Sequence, residues 1–213
     1  MSLPGLLGMP WRRRLLWTFL ILVLLAVMIA TAMQRLRKPE PPPVLGQVPE
    51  FTLTNRDGRT IHRADLDGRP WVADFVFTRC PASCPMMSAR MARLNRDLPA
   101  DLAVRLVSIS VDPEHDTPEV LERYAESFQA TDRWLFLTGG REDVRRLCVE
   151  GFKLGLDMAP GPGSGPEPIL HSTRFVLVDG RGAIRGYYEA FDEESTAKLR
   201  RDLLALAASE PLS

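Results

Sequence analysis

Cysteine is scarce in this chain. Three residues in 213 are too few for a scaffold built on disulfides, so a pair that acts together has a specific task. An excess of one charge is also missing. The 27 basic and 27 acidic side chains cancel to a formal net charge of zero, and no basic stripe appears of the kind a nucleic-acid partner requires. No internal repeat is visible, and no mitochondrial presequence is evident. Charge is absent altogether from residues 15–33, LLWTFLILVLLAVMIATAM.

That run approaches the ~20 apolar residues needed to span a hydrocarbon core of ~30 Å. Arg12, Arg13 and Arg14 precede it, and Arg35, Arg37 and Lys38 follow, so the positive-inside rule is nearly silent on orientation. Ala30-Thr31-Ala32 imitates a signal-peptidase site, but a cleaved leader carries a shorter apolar core of ~7–15 residues. The expectation is a cytoplasmic tail at 1–14 and an uncleaved transmembrane helix at 15–33. It makes a single pass of a bacterial inner (plasma) membrane, with the lipid bilayer as partner. The domain then sits on the periplasmic, extracytoplasmic side, where thiols need management. Pro39, Pro41, Pro42 and Pro43 favour an extended, semi-rigid linker over 34–47. The folded domain is expected over 48–209.

Within that domain, residues 51–54 read as a strand and Asn55-Arg56-Asp57-Gly58 as a hairpin turn. WVADFVF, 71–77, is nearly all apolar, as a central strand covered on both faces would be; Asp74 within it needs a partner. Met87, Met91, Leu94 and Leu98 recur at helical spacing. A strand follows at 102–111, and Thr117-Pro118-Glu119 opens a helix with an N-cap, a first-turn proline and an acid. A strand is expected at 134–137 and a helix at 142–152. A hairpin then folds around Asp179-Gly180-Arg181-Gly182, and Leu199, Leu203 and Leu206 mark one face of a last helix. Alternating strands and helices predict an α/β domain with parallel strand pairs, helices on both faces and an antiparallel edge from the terminal hairpin. Glycine and proline crowd residues 157–168, DMAPGPGSGPEP, which read as a flexible loop.

Cys80 and Cys84 lie in FTRCPASCPMM, residues 77–87, where strand gives way to helix. A helix N-terminus lowers a thiol's pKa. Positions four apart on a helix hold Cβ atoms ~5–6 Å apart, whereas a disulfide prefers ~3.5–4.5 Å, so the bridge closes only with distortion of the turn. A metal relaxes that constraint. A metal site, a redox couple and an inert pair all remain open on this spacing. Candidates for a third ligand are His62, His115, His171, Met86 and Met87, of which His171 is best placed between the flexible loop and a core strand. Soft sulfur with one imidazole suits copper, with zinc also open. Cys148 reads as a core thiol, Met87 and Met91 as core, His62 and His115 as solvated, and Asp112 and Asp116 as turn and cap formers. Of Tyr187 and Tyr188, one ring should point in and one out.

Cys80-Pro81-Ala82-Ser83-Cys84-Pro85 before Met86-Met87, the segment VDPEHDTPE at 111–119, and His171-Ser172-Thr173 ahead of a strand and Val178-Asp179-Gly180 together resemble the Sco/SenC family. The likeness runs from about Pro49 to the last helix. It implies a thioredoxin-like fold, a central mixed sheet flanked by helices. It also implies copper, as Cu(I) and also Cu(II), held by Cys80, Cys84 and His171. The implied role is assembly of the copper centre of cytochrome c oxidase, with an upstream copper donor and the copper-acceptor subunit of a terminal oxidase as partners. Val76 stands where the family commonly has glycine, Arg79 adds a positive charge beside Cys80, and the loop before His171 is unusually rich in glycine and proline. The rival from another class is a thiol–disulfide oxidoreductase, with Cys80 and Cys84 as its redox pair, that reduces the cysteines of the copper acceptor. A thiol peroxidase ranks last, for want of arginine and threonine around a lone reactive cysteine.

Overall fold

The computed structural model describes residues 11–36, 41–154, 157–158 and 170–209. They fall in two compact units, Met1–Glu40 and Pro41–Ser213. The first holds one helix, α1 (Trp11–Leu36), with Leu16, Phe19, Leu22 and Leu24 exposed. Among the described residues no helix is long and apolar enough to cross a membrane. The anchor expected over 15–33 therefore draws no support from the described helix.

In the second unit, β4 (Trp71–Val76) is buried at every position. It pairs in parallel with β5 (Arg105–Ser110), and β5 in parallel with β6 (Trp134–Thr138). The crossovers carry α2 (Ser83–Asp97) and α3 (Pro118–Ser127), as parallel strands require. Beyond β6 the antiparallel hairpin β2 (Thr52–Asn55) and β3 (Thr60–His62) closes one side. On the other side of β4 come β9 (Arg174–Val178), β10 (Ala183–Glu189) and the short β1 (Gly46–Gln47), all antiparallel. A separate pair joins β7 (Asp157–Met158) to β8 (Leu170–His171).

The terminal hairpin was expected at the edge, and here the fold differs. β9 lies in the sheet interior beside β4, and β1 covers β10. Phe175, Val176, Leu177 and Val178 are all buried, so β9 is apolar on both faces and needs a strand on each side. The edges fall to β1 and β3, short enough to offer little unpaired backbone. β1 also draws the end of the expected linker into the domain: Leu45 N–H donates to Ile184 O at 2.8 Å and Val48 N–H to Gly182 O at 2.9 Å.

Alternation along the strands divides the interior in two. Trp71, Ala73 and Phe75 face a core closed by Val144, Leu147, Cys148 and Phe152. Val72 faces another, closed by Met87 and Met91 of α2, Leu121 and Ala125 of α3, and Leu199, Leu203 and Leu206 of α5 (Glu193–Ser209). Tyr187 packs against the first core and Tyr188 into the second. The helix expected at 142–152 is instead α4 (Arg141–Arg146) followed by a π-helical turn, Leu147–Gly151. A Cβ on Gly151 would stand 2.8 Å from Pro49 Cδ, so the chain approaches Pro49 at the one residue without a side chain. Phe152 then meets Trp71 and Phe75 edge-on, at centroid distances of 5.9 and 5.1 Å.

Asp74 is fully buried on the α2 side of β4. Ser108 Oγ, opposite it in the parallel register, donates to Asp74 Oδ1 at 2.6 Å and accepts from Trp134 Nε1 at 2.9 Å. Asp74 Oδ2 has no partner. Burial pushes this carboxyl up to about 7, against the opposing bond from Ser108. The fold thus holds the Asp74 proton more tightly than the unfolded chain does. Its stability is fully present below the unfolded value near 3.8 and falls as pH rises toward about 7. Asp74→Asn should abolish most of that fall, which between pH 5 and pH 8 is on the order of 3 kcal/mol. Denaturant unfolding of both proteins at pH 5 and pH 8 checks it; parallel pH dependences would mean that Asp74 ionises freely in the fold.

Candidate metal centre

β4 ends at Val76, and α2 begins at Ser83. The turn between them is fixed by Cys80 N–H donating to Phe77 O at 3.2 Å. The residue at the N-cap of α2 is Ala82, with φ −141° and ψ −73° and no side-chain cap. An alanine cannot accept from the free N–H groups of a first turn. The Cys80 sulfur takes that role: Cys84 N–H donates to Cys80 Sγ at 3.4 Å, and Ser83 Oγ lies 3.4 Å from the same sulfur.

The two thiols consequently differ. Burial alone would push the Cys80 thiol up, but the Ser83 hydroxyl and the Cys84 and Ala82 N–H groups hold it below its ordinary value. Cys84 sits deeper, at 1% exposure against 9% for Cys80. Its burial pushes the thiol far above the ordinary range, and Cys80 and the carboxyl of Asp74 push in the same direction. No disulfide joins them. With Val76 and Phe77 they form a small apolar cluster at the end of β4, against which Val111 packs. The arrangement presents one thiolate-prone sulfur at the surface of that cluster and a second, protonated, one helical turn behind it.

The segment after β5 clamps the turn. Asp116 is fully buried, and its carboxylate accepts from Thr78 N–H at 3.1 Å, Thr78 Oγ1 at 2.5 Å and Ser110 Oγ at 2.6 Å. His115 Nδ1 lies 2.9 Å from Asp116 Oδ1 and 3.3 Å from Thr78 Oγ1. Arg79 donates to Asp112 Oδ2 from Nη2 at 2.6 Å and from Nε at 3.1 Å. Asp112 and Asp116, expected as local turn formers, thus reach across to the residues just before Cys80, and His115, expected in solvent, joins them. The positive charge of Arg79 is spent on Asp112, so hydrogen bonds, with Arg79 taking no part, favour the Cys80 thiolate. Asp112, His115 and Asp116 bring ligand atoms within 4.8 Å of one another, but those atoms are already engaged by Thr78, Ser110 and Arg79. They form a clamp.

The other candidates separate from this point. His62 lies on the outermost strand, β3, with Nδ1 3.0 Å from Thr52 Oγ1. Cys148 is buried in the opposite core, which pushes its thiol up to about 12. Met87 and Met91 are buried as expected, and Met86 is 53% exposed. His171 pairs its backbone with Asp157 through β8 and β7; its side chain lies outside the described residues, as does most of the loop at 157–168. Because β9 runs antiparallel to β4, with Trp71 opposite Val178, the chain entering β9 meets the sheet at the end where β4 delivers Cys80. Sequence reasoning did not single out Ser83 and read Asp116 as a turn or cap former. The first was signalled by its place inside the Cys80–Cys84 spacing, the second only by two acids flanking a proline and a histidine after a core strand.

Comparison with known proteins bears on this geometry. A model of the SCO1/SenC family matches residues 42–207. The SCO1 protein homolog of Bacillus subtilis (strain 168) is 34% identical over 153 residues, which is 70% of this chain and 77% of that protein. The structure of BsSco, described as a member of the Sco family of cytochrome c oxidase assembly proteins, gives a TM-score of 0.68 at 30% identity over 80% of this chain and 98% of that one. ScoI of Bradyrhizobium japonicum, solved with copper bound, gives 0.62 at 26% identity over 73% and 99% of the two chains.

Ser83→Ala tests the origin of the thiol asymmetry. Removing a donor to the Cys80 sulfur should raise its pKa, so that alkylation by iodoacetamide needs a higher pH. Near neutrality the reaction should slow severalfold, because a thiol of higher pKa holds less thiolate there. Cys84 should stay unreactive in both folded proteins. An unchanged pH profile would mean that the helix end alone sets the reactivity of Cys80.

Proposed function

This chain belongs to the SCO1/SenC family and has its α/β thioredoxin-like fold; from that premise we propose that it is a membrane-anchored copper metallochaperone, holding the ion on Cys80, Cys84 and His171 for the copper centre of a cytochrome c oxidase. The observation that carries the reading is the unbridged thiol pair at the start of α2, Cys80 just before its first residue and Cys84 in its first turn, with the Cys84 N–H donating to a Cys80 sulfur whose pKa is lowered. Two thiolates and one imidazole are a soft donor set matched to Cu(I) and able to hold Cu(II). Copper is cargo here. The ligands bind it in the deprotonated state, so capture displaces the proton of Cys84, and the apparent affinity rises with pH. Release proceeds by exchange with thiols of the acceptor, and withdrawal of His171 reduces three ligands to two.

A second reading is supported by the same pair. A thiol of lowered pKa backed by a buried partner of raised pKa is also the arrangement of an attacking and a resolving cysteine, which suits reduction of the acceptor's cysteines. The imidazole separates the two, since dithiol chemistry has no need of His171.

The anchor belongs to the same proposal. The uncharged run 15–33 would cross the inner membrane once, leaving the domain on the extracytoplasmic side and the proline-rich segment as spacer. Washing membranes of an expressing cell at alkaline pH should leave the full chain in the pellet, whereas a chain lacking 1–40 should be released; release of the full chain would remove the anchor from the proposal.

Copper binding is tested with the full chain under reducing conditions, by competition for one equivalent of Cu(I) against a chromophoric chelator. Cys80→Ser, Cys84→Ser and His171→Ala are run beside it. Outer-shell changes at metal sites cost ~10–100-fold in affinity, so loss of a ligand should cost at least as much in each variant. If His171→Ala binds as tightly as the parent while thiol exchange persists, the oxidoreductase reading replaces this one.

A further inference from the structure

Met86 stands apart from its neighbours on α2. Met87 and Met91 are sealed in the core at 1% and 0% exposure, yet Met86 is 53% exposed. Among the described residues of 41–213 it shares that state with only three large hydrophobic side chains, Val44, Leu45 and Phe191. Toward the start of the helix Pro81 and Ala82 are exposed and Ser83 and Pro85 half-buried, and Arg90, one turn further along, is paired with Glu193.

Its position relative to the thiols follows from helix geometry. Residues three apart share a face, with Cβ atoms ~5–6 Å from each other, and helical side chains lean toward the N-terminus. Met86 therefore lies over Ser83, whose Oγ is 3.4 Å from Cys80 Sγ. Cys84, two positions before Met86, points to the opposite side and inward. From solvent to core the sulfurs form a graded series, with exposures of 53% for Met86, 9% for Cys80 and 1% for Cys84.

We propose that Met86 is a relay ligand for Cu(I), the outermost of three sulfurs through which the ion enters and leaves. The inference rests on the copper reading above and adds to it a fourth residue. A thioether is soft, neutral and has no proton to lose, so it takes Cu(I) from a carrier without waiting on a titration. The carrier's sulfur–copper bond breaks as the Met86 Sδ–copper bond forms. That bond breaks in turn as Cys80 Sγ–copper forms, and any proton on Cys80 passes to water. The ion remains Cu(I) throughout. A neutral donor outside the final set changes the rate of capture and leaves the final affinity nearly as it was.

The test uses the full chain labelled with 13C-methyl methionine, with Cu(I) delivered from a chromophoric chelator in stopped flow. Met86→Leu keeps the size and apolar character of this surface residue and removes the sulfur. It should slow copper uptake ~tenfold, a barrier change of ~1.4 kcal/mol, with equilibrium affinity within about twofold. In a Cys80→Ser, Cys84→Ser double variant the Met86 methyl resonance should still move on adding Cu(I), while those of Met87 and Met91 stay put. Tight binding by the parent with equal uptake rates for Met86→Leu, or a Met86 resonance that does not move, overturns the relay alone. A parent that fails to bind Cu(I) overturns the metallochaperone reading, and the relay with it.

Discussion

The bond from the Cys84 N–H to the Cys80 sulfur is the constraint on which the site depends. A helix that starts without a capping side chain leaves donors free, and at Ala82 this chain supplies no oxygen to accept them. Sulfur is a weak acceptor when neutral and a strong one when charged, so the helix end and the thiolate stabilise each other. The four-residue spacing then places the second sulfur on the inner side of the same turn. One requirement, closing the start of α2, thereby produces both a thiol of lowered pKa and a deeper one of raised pKa.

Such a turn needs a rigid base. β4 supplies it from one side, with all six residues buried between two cores. The carboxylate of Asp116 supplies it from the other. A buried charge is tolerable only where hydrogen bonds replace its hydration, and Asp116 obtains them from Thr78, Ser110 and His115. The same bonds fix the two residues that precede Cys80. The polar cost of burying Asp116 and the positional demand of the site are thus met by one set of contacts, and this ties the loop after β5 to the turn that carries Cys80.

Much of this could be read in the chain, and the remainder could not for identifiable reasons. Strands with unbroken apolar runs, such as β4 and β6, declare their burial, and Met87, Met91, Leu199 and Leu203 lie in the core their spacing implies. Periodicity reports burial but not neighbours, which is why the terminal hairpin was placed at an edge that β1 occupies. The π-helical turn before Phe152 depends on Pro49, a hundred residues away in sequence, and no local pattern encodes it. At the site, the residue types and spacing of Cys80 and Cys84 were plain. The asymmetry of the two thiols was not, because it arises from depth and from Ser83, and depth is a tertiary property. Arg79 shows the same limit: its charge is visible in sequence, its partner Asp112 only in the fold.

The asymmetry also explains why one site supports two chemistries. A dithiol that exchanges with disulfides gains from a low-pKa attacker beside a partner that keeps its proton. A metal grip needs both sulfurs deprotonated, and Cys84 gives up its proton only when the ion offers more in return. On the proposed copper reading the buried thiol would be a threshold, resisting weakly bonding cations and yielding to soft ones that favour sulfur. On that reading the two sulfurs at the start of α2 leave coordination incomplete, and the third donor is what would convert a redox pair into a copper site. That donor must come from a segment outside β4 and α2. The chain entering β9 at the Cys80 end of the sheet is the backbone route by which His171 can serve.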